Sequence, residues 1–235
     1  MSYHRIMLKL SGEALGENGW LFDHGKIMAV ARVIRDVASA GTQVGIVIGG
    51  GNLWRGRTGA AQGMDAVRAD QMGMLGTVMN CIVMQDALIR AGQAAEVFSA
   101  LPVAGVCQGY RRDAADEALN AKGVALFGGG LGNPFFTTDT AVVLRAVELK
   151  ADALLLAKNV DGVYTADPNK DPSATKITDI TYQEAIGRGL QVMDLAAFKL
   201  CADQGLPSVR VFGLDKPENI KRVLSGEALG TLLHP

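Results

Sequence analysis

Gln43-Val44-Gly45-Ile46-Val47-Ile48-Gly49-Gly50-Gly51-Asn52 is a short apolar run that stops on three consecutive glycines. No charge interrupts it, as expected of a strand covered on both faces, and glycines at its end let backbone N–H groups approach a ligand closely. The same pattern recurs along the chain. Arg5–Leu10 ends at Ser11-Gly12, and the apolar run at 124–127 ends at Gly128-Gly129-Gly130-Leu131-Gly132. Further runs of strand length lie at 95–99, 153–157 and 209–212. Helical patterns separate them. In residues 26–40, Ile27, Val30, Val33, Ile34 and Val37 share one face, and Gly41 is placed to stop the helix. Residues 65–90, 111–121, 138–150 and 194–204 also read as helices, and Gly205 closes the last. Thr181-x-x-Glu184 is a capping box, Pro217 starts a short helix, and 230–233 is placed to add an edge strand. Strands alternating with helices predict an α/β protein, a three-layer α/β/α sandwich around a mainly parallel sheet. No Ser/Gly-rich or charged linker divides residues 1–235, which read as one domain with two lobes.

Composition narrows the class. Hydrophobic residues make up 49 % and charged residues 20 % of 235, which excludes wholesale disorder. The net charge of −1 argues against a protein that coats nucleic acid, but leaves room for a local anion pocket. Cys81, Cys107 and Cys201 form no C-x-x-C pair and read as buried, reduced thiols of a cytoplasmic protein. Lys9 and Glu13 break the only apolar start, so no signal peptide is expected. No uninterrupted apolar run approaches the ~20 residues that span a bilayer, so no membrane partner is expected.

Glycine loops after several strands of one parallel sheet suggest phosphate binding at the carboxyl edge. Each loop alone is also an ordinary tight turn; three together point to two phosphate-bearing sites. No G-x-G-x-x-G follows a strand, since Gly49-x-Gly51 runs into Trp54 and Gly128-x-Gly130 into Asn133. Gly51-Asn52-Leu53-Trp54-Arg55-Gly56-Arg57-Thr58 has P-loop spacing, but bulky side chains fill it and Arg57 stands where a compact ammonium belongs. His4, His24 and His234 make no ligand cluster and read as exposed bystanders, and no G-x-S-x-G elbow occurs. The chain thus offers cations, amides and carboxylates without an evident general base. Phosphoryl transfer to an acceptor that is already an oxyanion needs none.

Four stretches carry a family likeness: Lys9-Leu10-Ser11-Gly12-Glu13, Ile48-Gly49-Gly50-Gly51-Asn52, Gly132-Asn133-Pro134-Phe135-Phe136-Thr137-Thr138-Asp139 and Asp161-Gly162-Val163-Tyr164-Thr165-Ala166-Asp167-Pro168. With Met72-Gly73-Met74-Leu75-Gly76-Thr77-Val78-Met79-Asn80 and the Val192-Met193-Asp194 stretch, they resemble the amino acid kinase superfamily, most of all its bacterial UMP kinase branch. The resemblance implies transfer from ATP, with Mg²⁺, to UMP in pyrimidine nucleotide synthesis. It also implies a homohexamer built from dimers, with UTP as a possible inhibitor and GTP as a possible activator. It divides the chain into an acceptor lobe, roughly 1–150, and an ATP lobe, roughly 151–235. On the ATP side it places Lys9, Leu10, Ser11, Gly12, Gly51, Arg55, Asn159, Tyr164 and Asp167. On the UMP side it places Gly50, Asp70, Leu131, Gly132, Asn133, Pro134, Phe135, Phe136, Thr137 and Thr138. Lys9, Arg55, Asp139 and Asp194 become the catalytic candidates; the two aspartates would orient the lysine, hold Mg²⁺, or simply cap helices. The alternatives are another small-metabolite kinase of the superfamily and a uridine-nucleotide sensor without turnover.

The residues support this on their own terms. Lys9 ends an apolar strand, where a charge is costly unless it faces a cleft. Arg55 can clamp phosphate with two parallel bonds, and Asp70 is an acceptor suited to vicinal hydroxyls. The branch usually carries a small or polar residue where Leu131 stands, so that position is expected to offer backbone only. Ala157-Lys158-Asn159-Val160-Asp161 is one residue shorter than the common pattern, which leaves Lys158 and Asn159 both open for the polar ATP contact. Finally, the helix at 72–89 is apolar nearly all round, with Leu75, Met79, Ile82 and Val83 on one side and Met74, Cys81, Met84 and Leu88 on another. One side is expected to cover the sheet and the other to meet a second copy, with Met84 and Leu88 read as interface residues.

Overall fold

The computed structural model describes residues 3–235 apart from Asn18, Asp167, Asn169 and Gln191. β1 (Arg5–Leu10) leads through a 3₁₀ turn (Gly12–Leu15) into α1 (His24–Ser39). Then come β2 (Gln43–Ile48), α2 (Gly56–Ala61), α3 (Ala66–Arg90), β3 (Glu96–Ser99), β4 (Gln108–Gly109), α4 (Arg112–Lys122), β5 (Val124–Gly128) and α5 (Thr138–Glu148). The remainder forms β6 (Ala153–Lys158), the hairpin β7 (Val163–Tyr164) and β8 (Lys176–Ile177), β9 (Asp179–Thr181), α6 (Tyr182–Gly187) and α7 (Leu195–Asp203). β10 (Val209–Gly213), α8 (Asn219–Leu224) and β11 (Thr231–His234) complete the chain.

Among the described residues nine strands make one sheet in the order β4-β3-β5-β2-β1-β6-β10-β11-β9. Every pairing in it is parallel except β10 with β11. The period-2 alternation of strand side chains sorts the core into two layers. Ile6, Leu8, Leu10, Ile46 and Ile48 join Ile27, Val30 and Ile34 of α1 and Cys81, Met84 and Leu88 of α3. Met7, Val47, Phe127, Leu154 and Leu156 face Val142, Val143 and Ala146 of α5 and Phe198 of α7. Helices therefore cover both faces, as the α/β pattern requires.

Several expectations are corrected. β11 is not an edge strand: it lies between β10 and β9. The structure adds β4, β7, β8, β9 and α2, all too short to show a periodicity. Met84 and Leu88 belong to the sheet-covering side of α3 and are fully buried, so they are core and not interface. The side left exposed carries Met72, Leu75, Met79 and Ile82. By length and composition α3 could cross a bilayer, with a mean hydropathy of 1.4, but its other side is part of the core. Cys81 and Cys201 are buried free thiols as expected, whereas Cys107 is only half-buried. His4 and His24 are exposed; His234 is half-buried and lies 3.0 Å from Asp179, which raises its pKa.

Candidate active site

β1 is the pivot of the sheet: the chain adds β2, β5, β3 and β4 on one side of it, and β6 and β10 on the other. Where the order reverses, loops leaving neighbouring strands part and open a crevice. Lys9 stands there, one residue from the end of β1 and in register with Val47 and Leu156. Its side chain takes the face below α5, and Nζ meets Asp139 Oδ1 at 2.7 Å with both side chains largely buried. Among the described residues no group hydrogen-bonds to that oxygen, so the ammonium of Lys9 answers its charge.

Local structure explains why Asp139 is held there. Thr137 is the N-cap of α5 and accepts from the Asp139 N–H at 3.0 Å. Asp139 thus lies in the first helical turn, where the helix dipole favours a carboxylate. Lys158 ends β6 and brings a second ammonium to 3.8 Å from Asp139 Oδ2, while also donating to the carbonyl of Val192. Burial pushes the Lys158 pKa down, and the charge of Lys9 pushes the same way against the pull of Asp139. Asp194 is the N-cap of α7, accepting from Ala197 N–H at 2.8 Å and from the hydroxyls of Thr137 and Thr140. Burial works to raise its carboxyl, but the hydrogen bonds together hold it below the usual range. Of the two aspartates, Asp139 pairs with the lysines and Asp194 caps a helix.

A second ionic link crosses the cleft mouth. Glu13, on the 3₁₀ turn after β1, accepts from Arg55 through one oxygen and from Asn159 Nδ2 at 2.8 Å through the other. The loops after β1, β2 and β6 are thereby joined. Arg55 is mostly exposed, with its guanidinium over Gly51. Arg57 and Thr58 point to solvent on α2, away from any P-loop role.

Two cavities reach the Lys9–Asp139–Lys158 group from its two ends, Lys158 lining one and Thr137 and Thr138, which precede Asp139, lining the other. One, of ≈ 140 Å³, is lined by Gly50, Gly51, Asp70, Leu131, Asn133, Phe136, Thr137 and Thr138. Asp70 Oδ2 accepts from the Phe135 N–H across it at 2.8 Å, holding Phe135 at the left-handed φ of 70°. A non-glycine residue in that conformation stores strain that its surroundings must offset. Gly132, Pro134 and Phe135 belong to the same loop without lining the cavity, and Phe135 is exposed. The other cavity, of ≈ 490 Å³, is lined by Lys158, Val160, Val163, Tyr164, Arg188, Leu190 and Val211 among others. The Tyr164 hydroxyl donates to Asp161 at 2.7 Å, and Lys176 holds the same carboxylate at 2.9 Å. These two partners keep the Asp161 carboxyl below its usual range, and Asp161 in turn raises the Tyr164 phenol.

The structure therefore brings together most of the residues singled out from the sequence. Lys158, not Asn159, lines the larger cavity. Leu10 is a core side chain, so only its backbone reaches the crevice, beside Ser11 and Gly12. Asp167 lies outside the described residues. Glu13 is an additional site residue; it stood in a quoted motif, but nothing in its spacing gave it a partner, and for Lys158, one of the two residues open for the ATP contact, nothing in the sequence pointed to Asp139. Among the described residues no three His, Cys, Asp or Glu side chains come together to hold a metal. A divalent cation in a phosphotransferase is commonly held by one or two carboxylates plus substrate phosphates, and Asp139 fits that arrangement.

A crevice of this kind, with a lysine–aspartate–lysine group between two cavities, defines a phosphotransferase of the α/β class. The family model described as "Amino acid kinase family" matches residues 4–213, and the chain belongs to that family. Solved structures place it more closely. A UMP kinase from Bacillus anthracis is 38 % identical with a TM-score of 0.94, over 100 % of this chain and 97 % of that one. A UMP kinase from Ureaplasma parvum is 34 % identical with a TM-score of 0.93, over 100 % of both chains. A uridylate kinase from Archaeoglobus fulgidus is 31 % identical with a TM-score of 0.77, over 99 % of this chain and 100 % of that one.

Proposed function

We propose that the protein transfers the γ-phosphoryl group of ATP to UMP, giving ADP and UDP, in the cytoplasmic synthesis of pyrimidine nucleotides. The observation that carries this reading is the pair of lysines held by Asp139 between two separate cavities. The full-length likeness to UMP kinases supports the choice of acceptor. UMP attacks through a phosphate oxygen that is already negative, which explains a site built of cations and amides with no base. Lys9 and Lys158 face the transferring group, and Arg55 with the glycine-loop N–H groups offsets the charge that gathers where donor and acceptor phosphates meet. Mg²⁺ would be held by the ATP phosphates with Asp139, and when bound it supplies further charge neutralisation. Tyr164 and the larger cavity take the ATP nucleoside. Asp70 and the loop from Leu131 to Thr138 take UMP, with Asp70 Oδ1 free to accept from ribose. An assay coupled to ADP release tests the reading, run with UMP, CMP, AMP and acetylglutamate in turn. UMP should support the fastest turnover; release with acetylglutamate and none with UMP would overturn the acceptor, and no release with any would favour the sensor.

Asp70 gives a sharper test of the two nucleotide sites. Asp70→Asn should raise the KM for UMP strongly and that for ATP little, because an amide has one acceptor oxygen and cannot serve both the Phe135 N–H and the ribose as a carboxylate does. If the ATP parameter moves instead, the two sites are assigned the wrong way round.

Assembly into dimers and then a hexamer, with UTP as inhibitor and GTP as activator, belongs to the same proposal. Met72, Leu75, Met79 and Ile82 recur three to four residues apart on the exposed side of α3, and methionine packs adaptably at such a seam. A self-complementary two-fold contact would cover them. Leu75→Glu and Met79→Glu should therefore lower the particle mass in sedimentation while preserving the circular dichroism of the fold. A wild-type particle of 24.7 kDa would refute the assembly.

A further inference from the structure

Asn80, the last residue of the stretch from Met72, is fully buried on α3, and no substrate role accounts for it. Burying an amide is unfavourable unless its bonds are satisfied. Here Asn80 Nδ2 donates to the Gly49 carbonyl at 2.7 Å and to Asn52 Oδ1 at 2.8 Å. Asn52 returns a bond from Nδ2 to Asn80 Oδ1 at 3.2 Å. The reciprocal amide pair thus grips both ends of the turn from Gly49 to Asn52. Just past that turn, the N–H groups of Leu53 and Trp54 close back on the Gly50 carbonyl at 3.0 and 2.9 Å.

The same pair reaches the loop after β1. A Cβ on Gly12 would lie 2.2 Å from Asn52 Oδ1 and 2.3 Å from the Gly49 carbonyl, so the two loops touch with no side chain between them. Lys9 stands three residues before Gly12, and Arg55 three residues after Asn52. We infer that Asn80, acting through Asn52, is a positioning residue for phosphoryl transfer: it locks the two phosphate-facing loops in register. This rests on the kinase reading above. A misplacement of about 1 Å in such a site costs on the order of 10²-fold in rate.

The test is a double-mutant cycle on the full chain, with Asn80→Ala, Asn52→Ala and the double variant assayed with ATP and UMP. Each single variant should lower kcat by about 10–100-fold while both KM values move much less. The double should be little worse than the poorer single, because both act through one amide pair. Asn80→Asp, of the same shape, should be at least as impaired, since a carboxylate cannot donate to Gly49. Gln85→Ala removes a different bond from the same helix, to the Ala95 carbonyl at 3.0 Å, and should keep wild-type kcat. A lower melting temperature with unchanged kcat, or fully additive losses, would overturn the inference in favour of a structural role. If Asn80→Ala does not fold, Asn52→Ala decides alone: wild-type kcat in that variant refutes the positioning role. If the wild type prefers another acceptor, the acceptor assignment fails separately, and the same cycle is read with that acceptor.

Discussion

Lys9→Ala is expected to lower kcat by about 10²–10⁴-fold in a protein that still folds, because under the proposed function it removes a fixed charge aimed at the transferring phosphoryl group. The fold should survive for a specific reason. Lys9 is near the end of the central strand, and Met7, Leu8 and Leu10 around it keep the two core layers intact. Asp139 also keeps Lys158 at 3.8 Å, so its carboxylate is not left without a cation. Some stability is lost with the 2.7 Å ion pair, and the melting temperature should fall modestly. Lys9→Arg should remain deficient: a bulkier planar fork does not reproduce a compact ammonium at this distance. Steady-state kinetics with circular dichroism on each variant checks this. Turnover close to wild type in folded Lys9→Ala would remove Lys9 from the mechanism.

Much of this arrangement was legible before the structure because it is written in local patterns. β2, β5 and the body of β6 are uncharged apolar runs, β1 and β10 carry charges within theirs, and the glycines that follow β1, β2 and β5 mark the carboxyl edge. What escaped the sequence is non-local. Asn159 meets Glu13 across 146 residues, and Asn80 meets Asn52 across 28; polar partners at such separations leave no periodic trace. β9 has three residues, too few for alternation, and without it β11 looked like an edge. In α3 both sides are apolar, so periodicity gave two faces without saying which one the sheet takes. Packing decided it: Cys81, Met84 and Leu88 fit against α1 and the sheet, leaving Leu75 and Met79 outside. The aspartates show the same limit. Each opens a helix in sequence, yet Asp194 caps α7 while Thr137 caps α5 and leaves Asp139 to the lysines.

Asp139→Asn should reveal that the carboxylate serves the two lysines, through three coupled effects. Its side chain is only 15 % exposed, and Lys9 and Lys158 lie 2.7 and 3.8 Å away, so neutralising it leaves two cations facing each other in a partly dry site. Breaking such a buried pair costs on the order of 3–5 kcal/mol, here shared between two partners. A lower melting temperature follows. The second effect is on rate: with both ammonium groups free to move, kcat should fall by about 10²-fold. The third is on pH. Burial already holds Lys158 below its ordinary 10.5, and Asp139 is the main force opposing that. Without the carboxylate the pKa drops further, so activity that needs the ammonium is lost at lower pH than in the wild type. Stability moves the other way. Between the lowered folded pKa and 10.5 only the unfolded chain binds this proton, so the contribution of Lys158 to stability rises with pH across that window, and the window widens in the variant. ATP supplies what the substitution removes, since its phosphates place negative charge beside both lysines. At saturating ATP without Mg²⁺, where no metal ligation by Asp139 enters, the melting temperature of Asp139→Asn should therefore rise by more than that of the wild type. An equal rise in both proteins, with an unshifted alkaline limb of the pH–rate profile, would show that Asp139 does not govern the lysines.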